Sequence, residues 1–547
     1  PTRRSSDLKT PSVLSRTNKW GNHFKAFSTL VHKPRGENKK PYDIQPNQVI
    51  HGFRVTKVEE IPLYSMKVFM LEHEKTKAKY IHLHTPDTNN CFAVLFRTTP
   101  SNNKGTPHIL EHITLCGSEK YPVRDPFMNM LKRSLNTYMN AWTGSDFTCY
   151  PFSTQNEKDF KNLMSVYLES VYKPLLNYHD FLQEGWRYDF ERAGDPSSNL
   201  VVKGVVYNEM KGVLQTPDNL FVENIHKHAY PDNPYQYCAG GEPKEIPNLS
   251  YEELKEFYQR FYHPSNSHFY SYGDMDFTEH LQFVNDNYLK HYNAIDPKTE
   301  VPKTKRLSNP IEVKLKSPPD AVAIDPEKQA KLGITFLCND IVQDPFTSIS
   351  LHILAYMLFE TPNSPLYKAL LESGIASGYC PGYGFDMNNK ETTFTVGVRN
   401  IGHDITDFVE VERVINETLN EVVEQGFDKE FIESVLHQIE VQAKVPKADF
   451  GIHLLQSLIP FMNHGGDITY TLKVNEFLNQ IRDKVKKGKF FEGLIKQYLL
   501  DNKHKIRLIM TPDKDYINEE TYQEKVKLKE IEKKLTPAQK EKIIKDV

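Results

Sequence analysis

The sequence predicts an α+β fold built as two successive α/β units. Strand-like runs rich in Val, Ile, Phe and Tyr cluster at residues 64–98, ahead of long helical stripes. A helix, a polar turn and a strand follow one another at 251–272 and again at 490–510, which reads as a repeated unit. Between the two sets, residues 294–310 carry Pro and Lys with little periodicity, as a linker does. The expected division is an N-terminal extension (1–45), a first α+β domain (46–295), a linker (296–310), a second α+β domain (311–515) and the start of a helical linker (516–547). At 547 residues the chain has ample mass for more than one core.

Residues 1–8 (PTRRSSDL) resemble a translated sequencing adapter and are set aside. From 9 to 40 there are eight Lys or Arg and one acid, Glu37, among frequent Ser and Thr. That is transit-peptide composition and favours a mitochondrial address over a plain basic tail. Strands are expected at 64–72, 79–84 and 91–97, the last after the turn Asp87-Thr88-Asn89-Asn90. Helices follow at 105–116 and 127–135. Strands at 138–142 and 147–152 flank Thr143-Gly144-Ser145-Asp146, a hairpin signal. This hairpin is either an exposed edge able to pair with an extended peptide or an internal strand.

Phe160, Leu163, Met164, Tyr167, Leu168 and Val171 repeat at helical spacing and mark a core stripe over 157–172. Ser250-Tyr251-Glu252-Glu253 is a capping box opening a helix to about 262. A strand at 269–272 and a helix to about 292 close the first unit. The second is expected to hold strands at 311–315 and 333–337, helices at 346–359 and 366–371, strands at 378–385 and 392–398, several helices, then helix 490–500 and strand 506–510. Val526, Leu528, Ile531 and Leu535 suggest a surface helix. Thr536-Pro537-Ala538-Gln539 sets up another, and the sequence stops at Val547 a few turns into it, as at a truncation.

The chemistry concentrates in His108-Ile109-Leu110-Glu111-His112. On a helix, His108 and His112 lie one turn apart on one face, the spacing at which two imidazoles share a tetrahedral zinc. Glu111 edges that face, where a carboxylate can take a proton from an activated water. The order H-x-x-E-H is that of the inverted zincins. The motif is short, and chance copies occur on solvated helix faces. Here Gly105-Thr106-Pro107 marks a helix start, and Ile109, Leu110, Ile113 and Leu115 mark a buried helix, in which His and Glu need partners. Glu209, on a second expected helix, is the candidate third ligand, although spacing alone does not select it among the downstream carboxylates.

Composition excludes other classes. The net charge of −3 gives no basic field for nucleic acid. No apolar run reaches membrane-span length. The six cysteines form no C-x-x-C pair, which fits a reducing compartment rather than a disulfide framework. Cys116, beside the histidine helix, reads as a small buried side chain.

The motifs from Gly105 to Phe152 resemble the pitrilysin family of inverted zincins. They are Gly105-Thr106-Pro107-His108-Ile109-Leu110-Glu111-His112, Cys116-Gly117-Ser118, Lys120-Tyr121-Pro122, Arg124-Asp125-Pro126-Phe127, Asn140-Ala141-Trp142-Thr143 and Asp146-Phe147-Thr148-Cys149-Tyr150-Pro151. Gln183-Glu184-Gly185-Trp186-Arg187 and the run from Lys203 to Gly212 follow, and the likeness continues weakly to the C-terminus. Trp142 stands where Phe is expected, one aromatic for another.

The resemblance implies pitrilysin-like rolls, each an antiparallel-rich sheet with helices packed on it. It implies one Zn2+ per chain on His108, His112 and Glu209, and Glu111 as general base. It gives Asn140 and Ala141 the role of pairing with the substrate backbone. The substrates implied are short unfolded peptides, cleaved mitochondrial targeting peptides among them, degraded in the matrix. Family enzymes close two homologous halves around the peptide, and this chain corresponds to the first. The Arg and Tyr that stabilise the transition state belong to the C-terminal half. An inactive scaffold of the same fold is the alternative, opposed by the presence of all four residues; a plastid or vacuolar relative is another.

Overall fold

The computed structural model describes residues 43–546, apart from 322, 324 and 446. The adapter-like and transit-peptide-like segments lie outside the described residues, except for 43–45. Two sheets organise the chain. The first runs in the order Val49–Ile50, Phe53–Ile61, Met66–His73, Lys79–His84, Ser267–Gly273, Asn90–Arg97, Phe147–Thr154 and Asn136–Met139, with Trp142–Thr143 also on Phe147–Thr154. The second runs Ile311–Ser317, Lys505–Pro512, Ala330–Asp340, Glu391–Ile401 and Gly378–Tyr379, with Gly384–Asp386 also on Glu391–Ile401.

The two sheets share one plan. In the first, Ser267–Gly273 returns from the end of the unit to lie parallel to Lys79–His84 and antiparallel to Asn90–Arg97. In the second, Lys505–Pro512 lies parallel to Ile311–Ser317 and antiparallel to Ala330–Asp340. All other pairs are antiparallel. The helix–turn–strand pattern seen twice in the sequence is the segment that closes each sheet.

Strand Asn90–Arg97 shows why its run is apolar throughout. Phe92, Val94 and Phe96 join a core with helix Glu157–Tyr172, while Cys91, Ala93 and Leu95 join another with Leu455, Leu458 and Ile459 of helix Phe450–Asn463. Side chains alternate across a strand, so a strand covered on both faces must be apolar at every position. The cover is reciprocal. Helix Phe450–Asn463, from the second part of the sequence, packs on the first sheet. Helix Pro217–Ala229, from the first part, places Phe221 and Ile225 against Cys380, Leu508 and Met510 of the second.

The stretch before residue 311 has neither helix nor strand from Tyr292 on, and it is bonded into the fold. Thr304 N–H donates to the buried Glu391 carboxylate at 2.6 Å, and Lys390 Nζ donates to the Val301 carbonyl at 2.8 Å.

Most expected elements appear within a residue or two, and helix 157–172 and strand 79–84 coincide with their observed bounds. The single strand expected at 138–142 is broken at Asn140–Ala141, which stand between Asn136–Met139 and Trp142–Thr143. The reason is local: the Asn140 side chain accepts the Ala141 N–H at 3.0 Å, and so competes with the ladder. Strands Val49–Ile50 and Phe53–Ile61 were not expected. Their Arg, Thr, Lys and Glu residues hide the alternation. Among the described residues no helix is long and apolar enough to cross a membrane.

Candidate metal centre

Helix Thr106–Thr114 leaves the end of strand Asn90–Arg97 after a short loop and buries Ile109, Leu110 and Ile113. That burial fixes its roll and leaves His108, Glu111 and His112 half-buried on the other side. Gly105, at φ +71°, begins it; a Cβ there would stand 2.6 Å from the Gly240 carbonyl oxygen. Only glycine permits both the backbone conformation and the approach of the 238–241 turn.

Glu209 comes from helix Val205–Leu214, which buries Val206, Tyr207 and Met210. It is brought up by a second close approach, since a Cβ on Gly204 would meet the Gly185 carbonyl oxygen at 2.1 Å. Gly185 closes the π-helical turn Phe181–Gly185, which also carries Glu184. Single π-turns recur at functional sites.

The three predicted ligands converge. His108 Nε2 and His112 Nε2 lie 3.7 and 3.8 Å from Glu209 Oε2. One ligand atom from each residue lies within 4.8 Å of the other two. Two ligands each about 2.0–2.2 Å from a tetrahedral zinc stand roughly 3.3–3.6 Å apart, so a small contraction would bring them into register.

The outer nitrogens decide the chemistry. His108 Nδ1 lies 3.4 Å from the Gly240 carbonyl, and His112 Nδ1 lies 3.1 Å from Glu184 Oε2. Both partners are acceptors, so Nδ1 carries the proton and Nε2 offers its lone pair. With both rings neutral, two lone pairs and a carboxylate oxygen face one another. That donor set fits a cation, and the Nδ1 partners are those that metal-bound histidines use.

Burial and the neighbouring His112 push the His108 pKa down, while Glu209 works the other way. Burial also works against charge on His112, but the Glu184 hydrogen bond and the surrounding carboxylates raise its pKa overall. Burial raises the pKa of Glu111, and a 2.5 Å hydrogen bond donated by Thr143 Oγ1 restrains the rise. Glu111 is not in the converging trio. Its carboxylate is held by Thr143 of the hairpin. Cys116 is half-buried, its thiol pKa pushed up by burial.

Asn140 and Ala141 lie beside the outermost strand of the first sheet, which makes the hairpin an edge rather than an internal strand. Asn140 N–H is spent on the Pro151 carbonyl at 3.2 Å. Sequence reasoning gave no role to Glu184, Thr143 or Gly240. Glu184 and Thr143 stood inside quoted motifs, but only the fold shows what they touch.

A two-sheet roll with an H-x-x-E-H helix and a carboxylate brought to its two histidines from a distant helix defines a class, and the comparisons agree. Residues 97–194 match the family model described as "Insulinase (Peptidase family M16)" and residues 248–439 match "Peptidase M16 inactive domain". The chain belongs to peptidase family M16. It is 42% identical over 499 residues to the mitochondrial presequence protease of Xenopus laevis, across 91% of this chain and 48% of that protein. It is 41% identical to the protein of that name from Mus musculus (90% and 48%), and 38% to that from Schizosaccharomyces pombe (89% and 49%). The chain thus spans about half the length of the curated relatives it matches. Among solved structures, a protease from Helicobacter pylori superposes with TM-score 0.62 at 14% identity, over 80% of this chain and 98% of that one. Pitrilysin superposes with TM-score 0.59 at 15% identity, over 85% and 46%. These two likenesses show the pitrilysin-like α+β fold.

Proposed function

We propose that this chain is the zinc-binding half of a metallopeptidase that degrades short unstructured peptides, cleaved mitochondrial targeting peptides among them, in the mitochondrial matrix. One observation carries the reading: two Nε2 lone pairs and a carboxylate oxygen converge while both Nδ1 atoms are already bonded. The names and sequences of the relatives support the substrate class and the compartment.

His108, His112 and Glu209 hold one Zn2+, and Glu184 and the Gly240 carbonyl orient the imidazoles. Zinc, when bound, supplies Lewis acidity and brings the pKa of a water down toward about 7. Glu111 accepts the proton of the attacking water and returns it to the leaving amine, with Thr143 fixing its carboxylate. The backbone around Asn140 and Ala141, beside the sheet edge, pairs with an extended peptide, giving affinity with little sequence demand. Residues 46–295 form the catalytic domain, 296–310 the linker and 311–515 a non-catalytic domain; 516–547 begin a linker to a second half that completes the chamber.

Glu111→Gln tests this in a protein that includes the second half. Hydrolysis of a fluorogenic peptide should fall by about 10²–10⁴-fold, with zinc content by atomic absorption unchanged. Normal turnover would end the general-base assignment. The 547-residue chain alone should bind zinc and cleave poorly; full activity from it would remove the need for a second half.

A further inference from the structure

Helix Val205–Leu214 has ten residues, and no side chain caps its N-terminus. Short helices hold their place by tertiary contacts rather than by their own stability. Glu209 is near its middle, with a side chain 48% exposed that packing alone does not fix. Two residues before it, Tyr207 donates its hydroxyl to Glu524 Oε1 at 2.6 Å. Two residues after it, Lys211 donates Nζ to Glu524 Oε2 at 2.6 Å. Tyr207 and Lys211 are one turn apart on a single face, and Glu209 points away from that face by about 200° of helix rotation.

Glu524 belongs to helix Tyr516–Lys534, far along the chain. Its neighbour Leu528 is buried against Phe190 and Leu200, so the helix is seated on the first unit by apolar contact as well. One carboxylate therefore grips two successive turns of the helix that carries Glu209.

We propose that Glu524 is a positioning residue for Glu209, and that the Tyr207–Glu524–Lys211 latch sets the roll of helix Val205–Leu214 and thereby the strength of the metal site. The inference rests on the zinc reading of His108, His112 and Glu209. Metal sites demand ligand positions good to about 0.2 Å, so a small roll of a short helix is enough to weaken them. The latch also makes the long helix after the second sheet a determinant of a centre it does not touch.

The test compares Glu524→Gln and Lys211→Met with Glu520→Gln in the full chain. Glu520 lies one turn earlier on the same helix and pairs with Lys244 at 2.8 Å, away from helix Val205–Leu214. Competition of zinc with a chromophoric chelator should give about tenfold weaker binding for the first two variants and no change for Glu520→Gln. Unchanged affinity in Glu524→Gln would overturn the latch, as would an equal loss in Glu520→Gln, which would mean that any loosening of the long helix suffices. Amide exchange of residues 205–214 in metal-free protein is the second readout. It should speed up in Glu524→Gln and not in Glu520→Gln, and unchanged rates would overturn the latch. If the unaltered chain bound no zinc while these exchange rates behaved as stated, the metal reading would fail and the latch would stand as a helix restraint.

Discussion

The two sheets share a strand plan, yet the helices that follow their equivalent strands could hardly differ more. After Asn90–Arg97 comes Thr106–Thr114, which sets two histidines and a glutamate beside Ile109, Leu110 and Ile113. After Ala330–Asp340 comes Pro345–Phe359, which buries Leu351, Ile353, Leu354, Met357, Leu358 and Phe359. The first helix must satisfy the polar groups it buries, and it recruits Glu184, the Gly240 carbonyl and Thr143 to do so. The second buries only two serines besides its apolar side chains, and these are satisfied by backbone carbonyls of its own first turn and by Asn339. Among the described residues the metal-suited trio lies in the first unit alone. One topology thus carries either a helix with metal-suited side chains or an apolar one, and the difference lies in what surrounds it.

Substitutions in the two helices should therefore fail in different ways. His108→Ala should cost zinc affinity more than any change in an outer partner, well beyond about 100-fold, as measured by chelator competition. Retained zinc would mean that the trio is not the site. Leu354→Ala, in the apolar helix, should instead lower unfolding free energy by about 2–5 kcal/mol in urea titration and leave zinc affinity unchanged; Leu354 is fully buried. A loss of zinc in that variant would show that the units are not energetically separate. Glu184→Gln should weaken zinc by roughly 10–100-fold, because it removes the charge that makes His112 a better ligand. No loss would reduce Glu184 to a structural contact.

The smallest effect concerns pH and lies just before strand Lys505–Pro512 of the second sheet. His504 Nδ1 accepts the Leu307 N–H at 3.1 Å, while Nε2–H donates to the Ala229 carbonyl at 2.9 Å. Both ring nitrogens are used, and the ring must be neutral. Burial, with Arg306 nearby, pushes its pKa down to about 4 from an ordinary 6.5. A histidine depressed in this way contributes its full stabilisation above about 6.5 and loses it as pH falls toward about 4. The melting temperature should decline across that window, and His504→Gln, which cannot titrate there, should flatten the decline. An unchanged slope would assign the acid sensitivity elsewhere.

Where a signal is local, the sequence was legible. Helix Glu157–Tyr172 follows from its apolar stripe, and the capping box of Ser250 and Glu253 forms as read. His108, Glu111 and His112 share a face because helical periodicity requires it. The break at Asn140–Ala141 was missed because a strand pattern does not reveal which N–H a neighbouring amide will take. The polar strand Phe53–Ile61 was missed because its identity comes from pairing with Met66–His73.

By itself, then, the chain order determined the periodic elements, the two-unit plan and the histidine pair, all set by interactions within about one helical turn or along one strand. Tertiary structure alone decided that Glu209 meets that pair, that Glu184 and Gly240 fix its tautomers, that Glu524 grips the Glu209 helix and that each unit lends a helix to the other's sheet. Those contacts join residues many tens to hundreds of positions apart. Their closeness comes from buried apolar faces and from glycines that let backbones touch, and spacing along the chain carries no trace of it.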